Sequence, residues 1–309
     1  MKLAFLYAGQ GAQHVGMGRD LYEIYPAFRQ VLDSAPVDFD LKKLCFDGPE
    51  DQLNDTRYTQ PCMVAFAAGV TALLREAGIT PDYAAGLSLG EYSALQCAGV
   101  FDAKTAISLV AFRGQAMADA VQGRPCGMAA VLGMDRDALK AVCSEASDAG
   151  VVECTNFNCP GQIVISGDAA AVDKAGELAK AAGAKRVLPL KVSGPFHPSL
   201  MAPAGDALRE KFQSVDFGAM EIPVLFNCLG DLKGEADTIP NLLEQQVQSS
   251  VYLEDTIRRL GELGVDTVVE IGPGRTLSGF VKKTVKGIKC YPVETAEELQ
   301  AAIAALRGE

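Results

Sequence analysis

Gly86-Leu87-Ser88-Leu89-Gly90 is the stretch whose reading decides the fold. It has the form G-x-S-x-G. Pro81-Asp82-Tyr83-Ala84-Ala85 leads into it as a short strand, and Glu91–Ala98 leaves it as a helix. A serine on such a strand–turn–helix elbow is held out at the carboxyl end of the strand, in the arrangement used by serine acyl-transfer enzymes. The two flanking glycines leave no Cβ to clash across the sharp turn. The helix that follows turns its free N–H groups and positive dipole end toward the hydroxyl. The elbow therefore predicts an α/β sheet, with a nucleophile at its carboxyl edge.

A serine hydroxyl is a weak nucleophile and needs a base set against it. The chain offers two histidines, His14 and His197. His197 lies in Val192-Ser193-Gly194-Pro195-Phe196-His197-Pro198, where two prolines and a glycine stiffen the loop and Pro198 suits the first turn of a following helix. His14 sits in a Gly-flanked loop after the first strand. The stiff loop favours His197.

Outward from the elbow, strands alternate with helices. Strands are predicted over 2–8, 224–227 and 267–271. Helices are predicted over 22–34, 60–77, 103–121, 241–248 and 252–263. This order indicates a largely parallel sheet. Between Gly123 and Val192 the pattern becomes strand 127–132, helix 135–149, strands 151–157 and 162–166, helix 169–183 and strand 185–190. The order βαββαβ is that of a ferredoxin-like unit. The expected fold is thus α/β: a large hydrolase-like parallel-sheet domain, 1–122 and 193–309, with an inserted ferredoxin-like small domain, 123–192. Ser88 precedes the insert and His197 follows it, so the site is expected in the cleft between the two.

About half of the 309 residues are hydrophobic, and no run of about eighteen apolar residues occurs, so no membrane span is expected. The amino terminus lacks a signal-peptide layout. The nine cysteines include no C-x-x-C pair. Free thiols in a reducing cytoplasm are expected, with neither disulfides nor a metal site. The net charge of −11 argues against nucleic acid as a partner. Gly9-Gln10-Gly11 lacks the third glycine of a dinucleotide fingerprint, since position 14 is His14. No cofactor is expected.

Arg113 points to the substrate. On helix 103–121 it shares a face with Ala106, Leu109, Val110 and Met117. A guanidinium in an apolar stripe needs an anion, and its planar fork suits a carboxylate. That carboxylate belongs either to a protein acid or to an acyl group on the serine.

Several further segments occur in order along the chain: Gly9-Gln10-Gly11-Ala12-Gln13, the elbow through Leu95, Arg113-Gly114, Asn156-Phe157-Asn158-Cys159-Pro160-Gly161-Gln162, Phe196-His197, Gln246 and Glu270-Ile271-Gly272-Pro273-Gly274. With them the chain resembles, over essentially its whole length, the malonyl-CoA:acyl carrier protein transacylases of type II fatty acid synthesis. The resemblance implies that Ser88 carries a malonyl ester and that His197 is its base. It implies that the backbone carbonyl of Gln246 orients the imidazole in place of an acid. The N–H groups of Gln10 and Leu89 would form the oxyanion hole. Arg113, Asn158 and Phe196 would contact the acyl group, with Arg113 on the malonyl carboxylate. Two positions depart from the family pattern: Leu87 replaces the usual His and Ala8 the usual Pro. The implied partners are a coenzyme A thioester and acyl carrier protein, met by a monomer.

Carrier proteins are acidic, so docking on this acidic chain needs a local positive patch, placed at Lys185 and Arg186. Lys282, Lys283 and Lys286, read as part of the final helix, form a second cluster. Transacylases of polyketide or malonate-decarboxylase systems would use the same residues. A serine esterase or thioesterase would use the elbow with water as acceptor. A carrier-binding scaffold without turnover is the non-enzyme reading.

Overall fold

The computed structural model describes residues 1–192 and 194–308. Ser193 and Glu309, the first and last residues of the second large-domain segment expected from sequence, lie outside the described residues. The chain opens with β1 (Leu3–Tyr7), α1 (Arg19–Ile24), α2 (Pro26–Asp33), α3 (Leu41–Asp47), α4 (Glu50–Leu53) and α5 (Thr56–Glu76). The elbow joins β2 (Tyr83–Gly86) to α6 (Gly90–Cys97), and α7 (Ala103–Ala120) follows. Then come β3 (Cys126–Leu132), α8 (Arg136–Ala146), β4 (Val152–Cys159), β5 (Gln162–Asp168), α9 (Ala169–Ala181) and β6 (Arg186–Pro189). The chain finishes with α10 (Ala202–Phe212), β7 (Leu225–Phe226), β8 (Asp231–Leu232), α11 (Ile239–Val247), α12 (Leu253–Glu262), β9 (Thr267–Ile271), α13 (Thr276–Thr284), β10 (Lys289–Val293) and α14 (Ala296–Arg307).

Two sheets carry the architecture. The first has the order β10-β9-β1-β2, with every pair parallel. β1 is buried at all five positions, as a central parallel strand covered on both faces must be. The second sheet has the order β4-β5-β3-β6 and is antiparallel throughout. With α8 and α9 it makes the βαββαβ arrangement read from the sequence. It has its own apolar cluster, which includes Val131, Leu139, Phe157, Ile163 and Ile165. Fully burying one such side chain is worth about 1.5–3 kcal/mol, so each sheet stands on a core of its own. The fold is the expected α/β one.

Several details differ from the sequence reading. The helix expected over 22–34 is two helices, because Tyr25 before Pro26 takes extended angles (φ −110°, ψ 115°). Pro198 is also extended. It precedes a 3-10 turn at Ser199–Met201, and the next helix starts at Ala202 with Pro203 in its first turn. The strand expected at 224–227 touches the parallel sheet through one bridge, Val224 to Ala84, then turns into the β7–β8 hairpin. β9 is not the last strand: β10 follows, half-exposed and interrupted by Pro292, which suits an edge. The final helix is α14, so Lys282 and Lys283 lie on α13 and Lys286 beyond it.

Candidate active site

The elbow is as tight as its glycines imply. A Cβ on Gly86 would lie 2.1 Å from the Gly90 carbonyl carbon, and one on Gly90 would lie 2.3 Å from the Tyr7 oxygen. Both are far inside contact distance, so only glycine fits. Ser88 is held at φ 51° and His197 at φ 73°. Among the described residues they are the only non-glycine positions at positive φ. Backbone strain therefore coincides with the two groups expected to react.

The Ser88 hydroxyl lies 2.6 Å from Nε2 of His197. On the other side of the ring, Nδ1 lies 2.7 Å from the backbone oxygen of Gln246. A carbonyl can only accept, so Nδ1 carries the hydrogen and Nε2 offers its lone pair to the serine. Burial, reinforced by the Arg113 guanidinium, pushes the imidazole from 6.5 down to about 3. The ring is thus neutral at neutral pH and ready to take a proton. His14, by contrast, is exposed and pairs with Glu294, away from the serine.

Arg113 comes from the middle of α7, among buried Ala106, Leu109, Val110 and Met117. It is 1 % exposed. One terminal nitrogen donates to Gln60 Oε1 at 2.9 Å, and the other donates to Gln246 Oε1 at 3.0 Å and to Ser88 Oγ at 3.3 Å. Its guanidinium carbon lies over the Tyr92 ring, 5.5 Å from the centroid. Nε has no partner among the described residues, and no carboxylate among them forms an ion pair with Arg113. Glu91, the nearby buried acid, is pushed by desolvation up to about 8 and is neutral at neutral pH. Of the two readings left open by the sequence, the protein ion pair is not the one built: amide oxygens hold the cation without neutralising it. Burial lowers its pKa for that reason.

Gln246, buried on α11, serves three groups. Its backbone oxygen holds His197, its Oε1 holds Arg113, and its Nε2 donates to the Ser88 carbonyl at 2.7 Å. Gln10 lines the cavity over Ser88, its side chain accepting from the Thr56 hydroxyl at 2.8 Å. Leu89 stands at the start of α6 and is buried. Among the described residues the backbone N–H groups of Gln10 and Leu89 have no acceptor. Asn158 projects from β4, and its buried Oδ1 has no partner among the described residues. Asn158 and Phe196 line the same cavity of about 150 Å³ as Ser88 and His197. A second cavity of about 340 Å³ shares Gln10, Leu87 and Asn158 with the first. Leu87 presents an apolar wall to both.

The structure does not bring Lys185 and Arg186 to this cavity. Both are exposed at the start of β6, and the strand then leads to Leu190, Lys191 and Val192, which line the larger cavity; Leu190 and Val192 also line the one over Ser88. Lys191 is thus a cation lining the larger cavity, and the sequence reading missed it. Its position directly after the last small-unit strand was the available signal. Gln60 was missed too; only its place one turn into a buried helix marks it. Among the described residues no group of three or more His, Cys, Asp or Glu could hold a metal ion. None of their helices is long and apolar enough to cross a membrane.

The profile of the acyl transferase domain family matches residues 4–304. The malonyl CoA-acyl carrier protein transacylase of Bacillus subtilis is 44 % identical over 311 residues, covering 100 % of this chain and 98 % of the relative. The chain belongs to the malonyl CoA-acyl carrier protein transacylase family. The crystal structure of the Clostridium perfringens transacylase superposes with a TM-score of 0.95 at 38 % identity, covering 100 % of this chain and 98 % of that one. A malonyl-transacylase solved in complex with its type II PKS acyl-carrier protein gives 0.95 at 39 % identity, with 100 % of both chains covered. Transacylases of this family thus share the two-sheet arrangement around the elbow.

Proposed function

We propose that the chain transfers a malonyl group from malonyl-CoA to the phosphopantetheine thiol of acyl carrier protein, through an ester on Ser88. The observation that carries this is a neutral His197 on the serine, beside a buried guanidinium that no acid among the described residues neutralises, 3.3 Å from the same hydroxyl. His197 Nε2 takes the Ser88 proton as Oγ attacks the thioester carbonyl. The Gln10 and Leu89 N–H groups receive the developing oxyanion; losing one such donor typically costs about 3–4 kcal/mol. The tetrahedral intermediate collapses, the C–S bond breaks, and the imidazolium gives its proton to the departing CoA sulfur. The carrier thiol then enters, passes its proton to His197 and attacks the ester. Ser88 leaves and recovers the proton.

Arg113 holds the free malonyl carboxylate as a fork. That pairing restricts the ester and supports its survival until the carrier arrives. Asn158 and Phe196 border the acyl group, and Asn158 Oδ1 is available to a donor on the substrate. A carbonyl in place of an acid behind His197 suits transfer more than the acid-supported triad of an esterase. Lys185 and Arg186, continued by Lys191, form the docking edge for an acidic carrier. All the reacting groups come from one chain, which fits action as a monomer. The nine free thiols fit a reducing cytoplasm. Neither metal nor cofactor enters the steps.

The test is intact-protein mass after brief mixing with malonyl-CoA, with and without carrier protein. A malonyl adduct lost in Ser88→Ala and discharged by carrier supports the reading. Malonate released faster than malonyl-carrier forms would make the chain a thioesterase.

A further inference from the structure

The elbow is closed by a side chain outside the cavity. Asn227, fully buried, follows β7, where Val224 has just touched β2. Its Oδ1 accepts the Ser88 N–H at 2.6 Å, and its Nδ2 donates to the Gly86 oxygen at 2.7 Å. One planar amide thus spans the turn. Asn227 is itself fixed: its N–H donates to Glu91 Oε2 at 2.5 Å, and its carbonyl accepts the Tyr252 N–H at 2.9 Å. Glu91 sits in the first turn of α6, and its own N–H returns to the Ser88 oxygen at 3.0 Å. Ser88, Asn227 and Glu91 therefore form a closed ring of hydrogen bonds around a residue held at positive φ.

We propose that Asn227 is a positioning residue for acyl transfer, one that fixes the left-handed conformation of Ser88 and, by occupying the Ser88 N–H, leaves the Leu89 N–H as the elbow's oxyanion donor. The proposal rests on the reading of Ser88 as nucleophile. Without the bracket, Ser88 has a steric reason to relax toward negative φ. That rotation would carry Oγ away from Nε2 of His197 and turn the Leu89 N–H off the carbonyl. The contacts of Arg113 with Gln60 and Gln246 do not involve Asn227, so recognition of the carboxylate should persist.

Asn227→Ala and Asn227→Asp are compared with wild type by single-turnover malonyl adduct formation, the KM for malonyl-CoA and the thermal midpoint. A misaligned nucleophile predicts an acylation rate about tenfold to a hundredfold lower in Asn227→Ala. KM should stay within about twofold, the signature of an interaction expressed in the transition state. Asn227→Asp keeps the acceptor for the Ser88 N–H and should fall between wild type and Asn227→Ala. Wild-type rates in both variants would overturn the proposal, as would a loss confined to KM or equal losses in the two. If Asn227→Ala does not fold, the rate and KM of folded Asn227→Asp decide alone: slowed acylation at unchanged KM supports the bracket, and a wild-type rate overturns it. Ser88→Ala runs alongside. An adduct there would remove the nucleophile reading itself, whereas its absence with a wild-type Asn227→Ala removes only the bracket.

Discussion

Arg113 is the residue at which recognition and stability conflict. Its charge is buried without a counter-ion among the described residues, so a bound malonyl carboxylate would complete the site. Arg113→Ala should lower malonyl transfer by about a hundredfold, because a buried polar partner is lost, and should raise the relative use of acetyl-CoA. The malonyl-to-acetyl ratio in a competition assay checks this; an unchanged ratio would reduce Arg113 to a structural cation. His197 gives a second expectation. A general base works while deprotonated, and its pKa lies near 3, below the ordinary 6.5. Acylation of Ser88 should therefore hold level as pH falls through 6.5 and decline only toward 3. A half-maximal point near 6.5 in single-turnover rates would contradict the buried neutral ring. Ser88, His197 and Arg113 were legible because each residue type is rare or costly in its setting. Asn227 and Gln60 were not, since an asparagine or glutamine shows nothing in sequence of what it faces.

At the scale of elements, α7 holds Arg113 in place and is started by one cap. Asp102 accepts the Thr105 N–H at 2.7 Å, and Ala in its place should cost about 1 kcal/mol. Denaturant unfolding of Asp102→Ala measures this, and no change would show the helix end satisfied in another way. Long periodic helices such as α5 and α7, and the parallel strands β1 and β9, could be read because burial imposes their pattern. The small unit was readable from its element order. What escaped included α3, whose seven residues give too few turns for periodicity, β10, a half-exposed edge strand containing Pro292, and the twelve-residue α14, whose buried face is only Leu299, Ala302 and Ile303. The break between α1 and α2 was written in Tyr25-Pro26 and overridden by the apolar pattern across it.

For the whole molecule, charge is the quantity that a partner meets first. An acidic carrier approaching an enzyme of net charge −11 depends on where the cations cluster. Reversing charge at Lys185 and Arg186 should slow carrier association and flatten its salt dependence, while self-malonylation changes little. Adding Lys191 to the reversal should deepen the effect, since it lies on the path from that edge to the cavity. Carrier transfer rates across ionic strength decide; a larger effect at Lys282 and Lys283 would move the docking edge to α13. The order of strands has a further consequence, for the making of the protein. β1 leaves the ribosome long before β9, its partner on one side. The serine is synthesised more than a hundred residues before its base, and the carbonyl that steadies the base comes later still. A nascent chain therefore holds an elbow without chemistry. Products cut short before Gln246 should be inert toward the cell's thioesters, because the hydroxyl gains its reactivity only when His197 and the Gln246 carbonyl are both in place.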